Sequence, residues 1–183
     1  SGMPAIQVSV LFNKNLMRYV DKVMKLGFQT PAGQILMYFI GFFILLLVLG
    51  VNPWLSIAGA IGFAFSSYFF IILEAGHNSK ANAIGYMAPV LAGIILTYRG
   101  KYLAGGILTS FFLALEIMTN HPQITYYLAI MVLIYSVIEL VNHFRSKTLA
   151  DFGKATAVLL FAAFMAVGAN AASLRGTYEY SKY

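Results

Sequence analysis

The chain has 183 residues, 60% of them apolar and only 10% charged, with a formal net charge of +6. This balance excludes an ordinary soluble domain and predicts an all-α, polytopic membrane protein whose core is its own bundle of spans. There is no cysteine, so a disulfide framework, a thiol nucleophile, an Fe–S cluster and a thiolate zinc site are excluded as well.

The excess of cations suits anionic lipid head groups or phosphate-bearing ligands, and it also holds loops in the cytoplasm. Nothing points to a nucleic-acid partner. The start, Ser1-Gly2-Met3, carries neither a basic leader nor a cleavable apolar region, and Tyr178-Glu-Tyr-Ser-Lys-Tyr183 ends abruptly. An internal piece of a longer protein is therefore expected.

Residues 1–30 read as the end of an external loop, and 31–183 as one transmembrane bundle. From Asn13 to Phe28, Lys14, Arg18, Lys22 and Lys25 recur at helical spacing, with Leu16, Met17, Val20, Val23, Met24 and Phe28 between them. That pattern predicts an amphipathic helix lying in the head-group region, with packing on a soluble domain as the alternative. Asp21 is read as an ion-pair partner of Lys25 or Arg18. Gly27 and Thr30-Pro31-Ala32-Gly33 end the helix before the first span.

Apolar runs of about 20 residues, the length needed to cross a bilayer, then place six spans near Gln34–Val51, Trp54–Leu73, Ala83–Tyr98, Tyr102–Met118, Ile124–Val141 and Ala155–Leu174. Pro89 should kink or break the third. Gly59, Gly62, Gly93, Gly105 and Gly106 are small residues that let helices approach closely. Arg99, Lys101, Arg145, Lys147 and Lys154 fall on one side of this topology, which the positive-inside rule makes cytoplasmic.

Polar clusters interrupt the apolar pattern on the other side. One is Glu74-Ala-Gly-His77-Asn78-Ser-Lys80 and the other is Glu116-Ile-Met-Thr-Asn120-His121-Pro-Gln123. The intervening crossings return the chain to the same face, so the clusters can meet. If the second helix continues one more turn, Glu74 and His77 share a face.

A carboxylate beside an imidazole can act as an acid/base pair, as half of a divalent-metal site, or as a hydrogen-bonded structural pair. Glu74, His77, Glu116 and His121 are therefore the catalytic candidates, and Glu74, His77 and His121 the candidate metal ligands. Lys80 and Arg175, with Arg18, can receive a phosphate or snorkel to lipid. Asn78, Asn120 and Gln123 suit sugar hydroxyls or backbone capping. Glu139 and His143 read as a structural pair, and Tyr126, Tyr127, Tyr178, Tyr180 and Tyr183 as an interfacial aromatic belt. No Walker loop, dinucleotide fingerprint or nucleophile elbow is present in this stretch.

Pro53-Trp-Leu-Ser56, Ala64-Phe-Ser-Ser-Tyr68, Glu74-Ala-Gly-His-Asn78, Leu96-Thr-Tyr-Arg-Gly-Lys101, Asn120-His-Pro-Gln-Ile-Thr-Tyr126 and Thr177-Tyr-Glu-Tyr180, together with Ser1-Gly-Met-Pro-Ala-Ile-Gln7, closely resemble the YfhO-type membrane proteins of bacteria, particularly Bacteroidota. That family is similar to the GT-C glycosyltransferases. The resemblance implies a GT-C-like bundle in the bacterial cytoplasmic membrane and an extracytoplasmic active site. It also implies a sugar donor carried on a polyprenyl phosphate, and a catalytic acidic residue lying before Ser1. The alternative is a lipid or polysaccharide transporter, or an assembly subunit without chemistry.

Overall fold

The computed structural model describes residues 16–180, with side chains through residue 175. Lys14 and the tyrosines expected to form a belt at positions 178, 180 and 183 lie outside the described side chains. All regular secondary structure among the described residues is helical: α1 (Leu16–Met24), α2 (Ala32–Leu49), α3 (Pro53–Ala64), α4 (Ser67–Glu74), α5 (Asn78–Tyr98), α6 (Tyr102–Met118), α7 (Pro122–Arg145), α8 (Leu149–Ala169) and α9 (Ala171–Tyr180). Five segments are long and apolar enough to cross a membrane: α2, the α3–α4 pair, α5, α7 and α8. The predicted fourth span, α6, is a shorter apolar helix of 17 residues.

Helix ends follow local chemistry more closely than hydropathy. The predicted second span is two helices: Ser66 takes an extended conformation (φ −61°, ψ 136°) and restarts the chain as the N-cap of α4. The extended backbone alone makes this break, since Ser66 forms no side-chain cap bond. The third span begins at Asn78 instead of Ala83, since Asn78-Ser-Lys-Ala-Asn82 is helical although polar. The last predicted span, Ala155–Leu174, is divided at Asn170 (φ −110°, ψ 9°), which closes α8.

Pro89 does not break α5, which runs unbroken from Asn78 to Tyr98. A proline there has no N–H to offer the carbonyl four residues earlier, here Gly85. Gly41 of α2 lies against that carbonyl: a Cβ added at Gly41 would come within 2.8 Å of Gly85 O and 2.9 Å of Pro89 Cδ. The break expected at Pro89 does not occur, and α2 crosses closely at this point.

Between helices already in lipid, packing and interhelical hydrogen bonds hold the bundle more than the hydrophobic effect does. The tightest crossing joins α5 to α6. A Cβ on Gly93 would sit 2.5 Å from Thr109 Oγ1, and one on Gly105 would sit 2.3 Å from Thr97 Oγ1. Thr97 donates its hydroxyl back to Gly93 O at 2.9 Å. These glycines serve the packing role their size predicts, as does Gly106 against Val158 and Gly59 against Leu46, whereas Gly62 faces open space.

α5 is the central helix. Its Tyr86, Val90, Ile94 and Tyr98 share one apolar core with Met37, Phe112, Leu115 and Leu128. A smaller core joins Tyr38, Phe69, Ile72 and Ala81, with Tyr38 stacked on Phe69 and donating to Ala81 O at 3.0 Å. Near the other end of α5, Tyr98 donates to Ser136 Oγ at 3.2 Å and lies 3.4 Å from Thr156 Oγ1, which ties α7 and α8 to it. Arg99 bonds the carbonyl of Val48 at the end of α2. Most of α7 carries exposed apolar side chains, among them Leu133, Ile134, Val137 and Ile138. Glu139 and His143 form the predicted i,i+4 pair, 3.7 Å apart.

Candidate polar site at one end of the bundle

The C-termini of α4, α6 and α8 and the N-termini of α5 and α7 meet at one end of the bundle, opposite the Arg99 end. α1 lies across this end. Met17, Val20 and Met24 pack on the main core, while Leu16, Tyr19, Val23 and Leu26 form an exposed apolar stripe spaced three, four and three residues apart. A helix with one apolar face on protein and a second one outside suits an interface between bundle and lipid.

α1 is also fastened by polar contacts. Asp21 accepts a hydrogen bond from the hydroxyl of Tyr86, a side chain with no exposed surface. Lys25 donates to Asp21 Oδ2 and to Asn82 Oδ1, both at 2.9 Å, and is only 7% exposed. The pairing of Asp21 with Lys25 is one of the two expected from the sequence. The fourth cation of the predicted surface stripe is, however, a buried anchor, because the turn at Leu26 and Gly27 (φ 52° and 75°) folds the end of α1 onto the bundle.

Glu74 and His77 do not share a face. Gly76 adopts φ +72°, and the amides of Gly76 and His77 cap α4 on the carbonyls of Leu73 and Ile72 at 3.0 and 3.1 Å. This left-handed stop is the ordinary one for a glycine after a helix. It leaves His77 as the residue before α5 and separates it from Glu74, which lines a cleft with Thr30, Pro31, Phe70 and Ile71.

The second cluster is divided as well. Glu116 is wholly buried, and the hydroxyl of Thr125 lies 2.9 and 3.2 Å from its two carboxylate oxygens. Asn120 has φ +54°. Asparagine tolerates this conformation better than most residues, which gives it a structural reason for its place after α6. His121 precedes Pro122, the first residue of α7, as the proline's fixed geometry favours. Asn120 and His121 line a cavity of about 400 Å³ with Thr125, Tyr126 and Leu174, which places Arg175, next to Leu174, at this end too. Gln123 instead donates to its neighbour Tyr127 at 2.8 Å on the exposed face of α7.

One predicted meeting does occur. His121 is held below its ordinary pKa of 6.5, first by burial and then by the charges of Lys80 and His77. Lys80 also sits 5.4 Å from the centre of the Tyr68 ring, a cation–π geometry that leaves its ammonium at the mouth of the bundle. The first and second clusters are thus near enough to each other for Lys80 and His77 to act electrostatically on His121. The candidate metal ligands Glu74, His77 and His121 do not gather: among the described residues no three His, Asp or Glu side chains are placed to hold a metal ion.

Asn78, from the first cluster, joins a different group. With Asp21, Lys22, Lys25, Phe28, Gln29, Thr30, Gln34 and Asn82 it lines a cavity of about 440 Å³ beneath α1. Tyr86, Gln34, Asn82 and Asn170 are polar core positions that reading the sequence by apolar runs passes over. Asn170 is buried and donates to the carbonyls of Ala114 and Ala166 at 2.9 and 3.0 Å. The available signal was a single polar side chain within or at the start of an apolar run. Comparison with family models, characterised proteins and solved structures finds no match to this chain.

Proposed function

We propose that the chain is a segment of a GT-C-like, YfhO-type glycosyltransferase that takes a sugar from a polyprenyl phosphate at the extracytoplasmic face of the bacterial cytoplasmic membrane. The observation that carries this reading is the convergence of Lys80, His77 and His121 at one end of an otherwise apolar bundle, beside an amphipathic α1. In this reading Lys80, with Arg175 at the same end, faces the carrier phosphate. A fixed cation there lowers the barrier to glycosyl transfer by matching the charge that develops on the departing phosphate. Neutral His121, kept so by burial and the nearby Lys80 ammonium, accepts or relays the proton of the acceptor hydroxyl. Sidedness rests on Arg99, Lys101, Arg145, Lys147 and Lys154 at the opposite end.

The test is transfer of radiolabelled sugar from a polyprenyl-phosphate donor in right-side-out and inverted vesicles containing the full-length protein. Activity confined to right-side-out vesicles, and reduced at least tenfold by Lys80→Ala and His121→Ala, is the expected result. Product formation indifferent to both substitutions would overturn the assignment.

One observation favours a second reading, a lipid or polysaccharide transporter. Glu116 is an ionisable group wholly buried beside a single described hydroxyl partner, and intramembrane carboxylates commonly mark proton or substrate paths. Flux that follows a pH gradient and stops in Glu116→Gln, with no new glycosidic bond, would select it.

A further inference from the structure

The cavity beneath α1 has a composition and a defect that the architecture does not use. Its walls are side-chain amides (Gln29, Gln34, Asn78 and Asn82), one carboxylate (Asp21), the hydroxyl of Thr30 and the ring of Phe28, with Lys22 and Lys25 as its cations. Lys25 is neutralised in place by Asp21 at 2.7 Å, so the floor carries little net charge. Gln34, only 2% exposed, places Nε2 3.0 Å from Thr30 Oγ1 and leaves Oε1 with no hydrogen-bond partner among the described residues. A buried amide with one end unmade is costly, and native structures rarely keep one without a reason. Whichever way that amide is turned, the group able to satisfy it is one that both donates and accepts.

We propose that this cavity binds a polyhydroxylated group, a pyranose or similar polyol, with its hydroxyls on Gln34, Asn78 and Asn82. Hydroxyls serve as donor and acceptor at once, so amides and a carboxylate pair with them directly. The exposed ring of Phe28 offers an apolar face to a sugar's C–H surface. A free phosphate fits poorly, because the Asp21 carboxylate lies in the wall and the buried ammonium is already engaged. The volume of about 440 Å³ lies within the roughly 300–1,000 Å³ usual for small-molecule sites. The rim is open: Lys22, Gln29, Thr30 and Asn78 are exposed, and the hydroxyl-bearing ligand enters past them.

This site deepens the transferase reading by giving the sugar ring a wall of its own, with Asn78 two positions from Lys80 on α5, and it rests on that reading only for the identity of the carrier. The test uses the full-length protein in nanodiscs free of glycoside detergent. One arm measures saturation-transfer NMR with free glucose, mannose, galactose and N-acetylglucosamine. The other measures binding of polyprenyl-phosphate glucose incorporated in the nanodisc. Binding in either arm, weakened at least tenfold by Gln34→Met and Asn82→Leu, unchanged by the opposite-end variant Lys101→Ala, and kept by Gln34→Glu, is the expected result; the first arm alone marks a free sugar, the second a lipid-carried one. Thermal melts of each variant separate lost binding from lost fold. Absence of binding in both arms, or binding that follows Lys101→Ala and ignores Gln34→Met, would overturn the site. A site that binds sugar in a protein that transfers none would retain this inference and remove the transferase reading.

Discussion

Asp21 of α1 and Tyr86 of the central helix α5 are joined by a hydrogen bond from the tyrosine hydroxyl to the carboxylate, sixty-five positions apart in the chain. This contact, with Lys25 bridging to Asn82, makes α1 part of the bundle and roofs the polar cavity.

Removing the carboxylate should therefore release α1. Asp21→Ala leaves the buried Lys25 ammonium without its counter-charge, a loss of roughly 3–5 kcal/mol for a buried pair broken on one side. Replacing both partners, as Asp21→Leu with Lys25→Met, should recover most of that, since an apolar pair has no charge to bury. Hydrogen exchange over Leu16–Met24 checks this: fast in the single variant, slow in wild type and in the double variant. Equal protection in all three would show that the ion pair does not hold α1.

Glu116 and Thr125 make a second testable pair. Thr125→Val leaves a fully buried carboxylate without its hydroxyl donor and should cost about 1–3 kcal/mol. Glu116→Gln keeps a partner for Thr125 and is easier to bury, so its thermal midpoint in detergent should equal or exceed that of wild type. A midpoint that falls in Glu116→Gln and not in Thr125→Val would contradict the geometry.

The α5–α6 crossing tolerates no added side chain at its contact glycines. Gly93→Leu and Gly105→Leu should prevent the helices from closing, with a cost above about 3 kcal/mol because backbone must move, whereas Gly62→Ala should be nearly silent. Thermal midpoints of the three purified variants make the comparison. Similar midpoints for Gly105→Leu and Gly62→Ala would refute the close approach.

How far the sequence could lead is clearest at Glu74 and His77. Their types and the end of the bundle they occupy were legible, because apolar runs count crossings. Their mutual placement was not: it turns on the positive φ of Gly76, which decouples positions that an unbroken helix would align. Lys25 was counted as one of a solvated stripe for the same reason, since the turn at Leu26 and Gly27 points it inward. Gln34 and Asn82 sat unnoticed at the starts of apolar runs, where hydropathy averages a single amide away. Of the six spans expected, five segments are long and apolar enough to cross a membrane and α6 is shorter, while the breaks at Ser66 and Asn170 lie within apolar runs, where a hydropathy window does not see them.

The pH response of His121 follows from its surroundings. Its pKa in the folded chain lies below the ordinary 6.5, through burial first and then Lys80 and His77, so the unfolded chain binds the proton more readily. The stability held by neutral His121 is full above pH 6.5 and is lost as pH falls through the lowered value. Lys80→Met should raise the His121 pKa toward 6.5, read directly from the imidazole carbon proton by NMR titration. An unchanged titration would place Lys80 too far away to act on it.

The most direct measurement of the central claim is native mass spectrometry of the full-length protein extracted from its own membrane. The account predicts a co-purified polyprenyl-phosphate sugar that is lost or strongly depleted in Lys80→Ala and retained in the opposite-end variant Lys101→Ala. A protein that carries no such lipid, or carries it equally in Lys80→Ala, would contradict a sugar-transfer site at this end of the bundle.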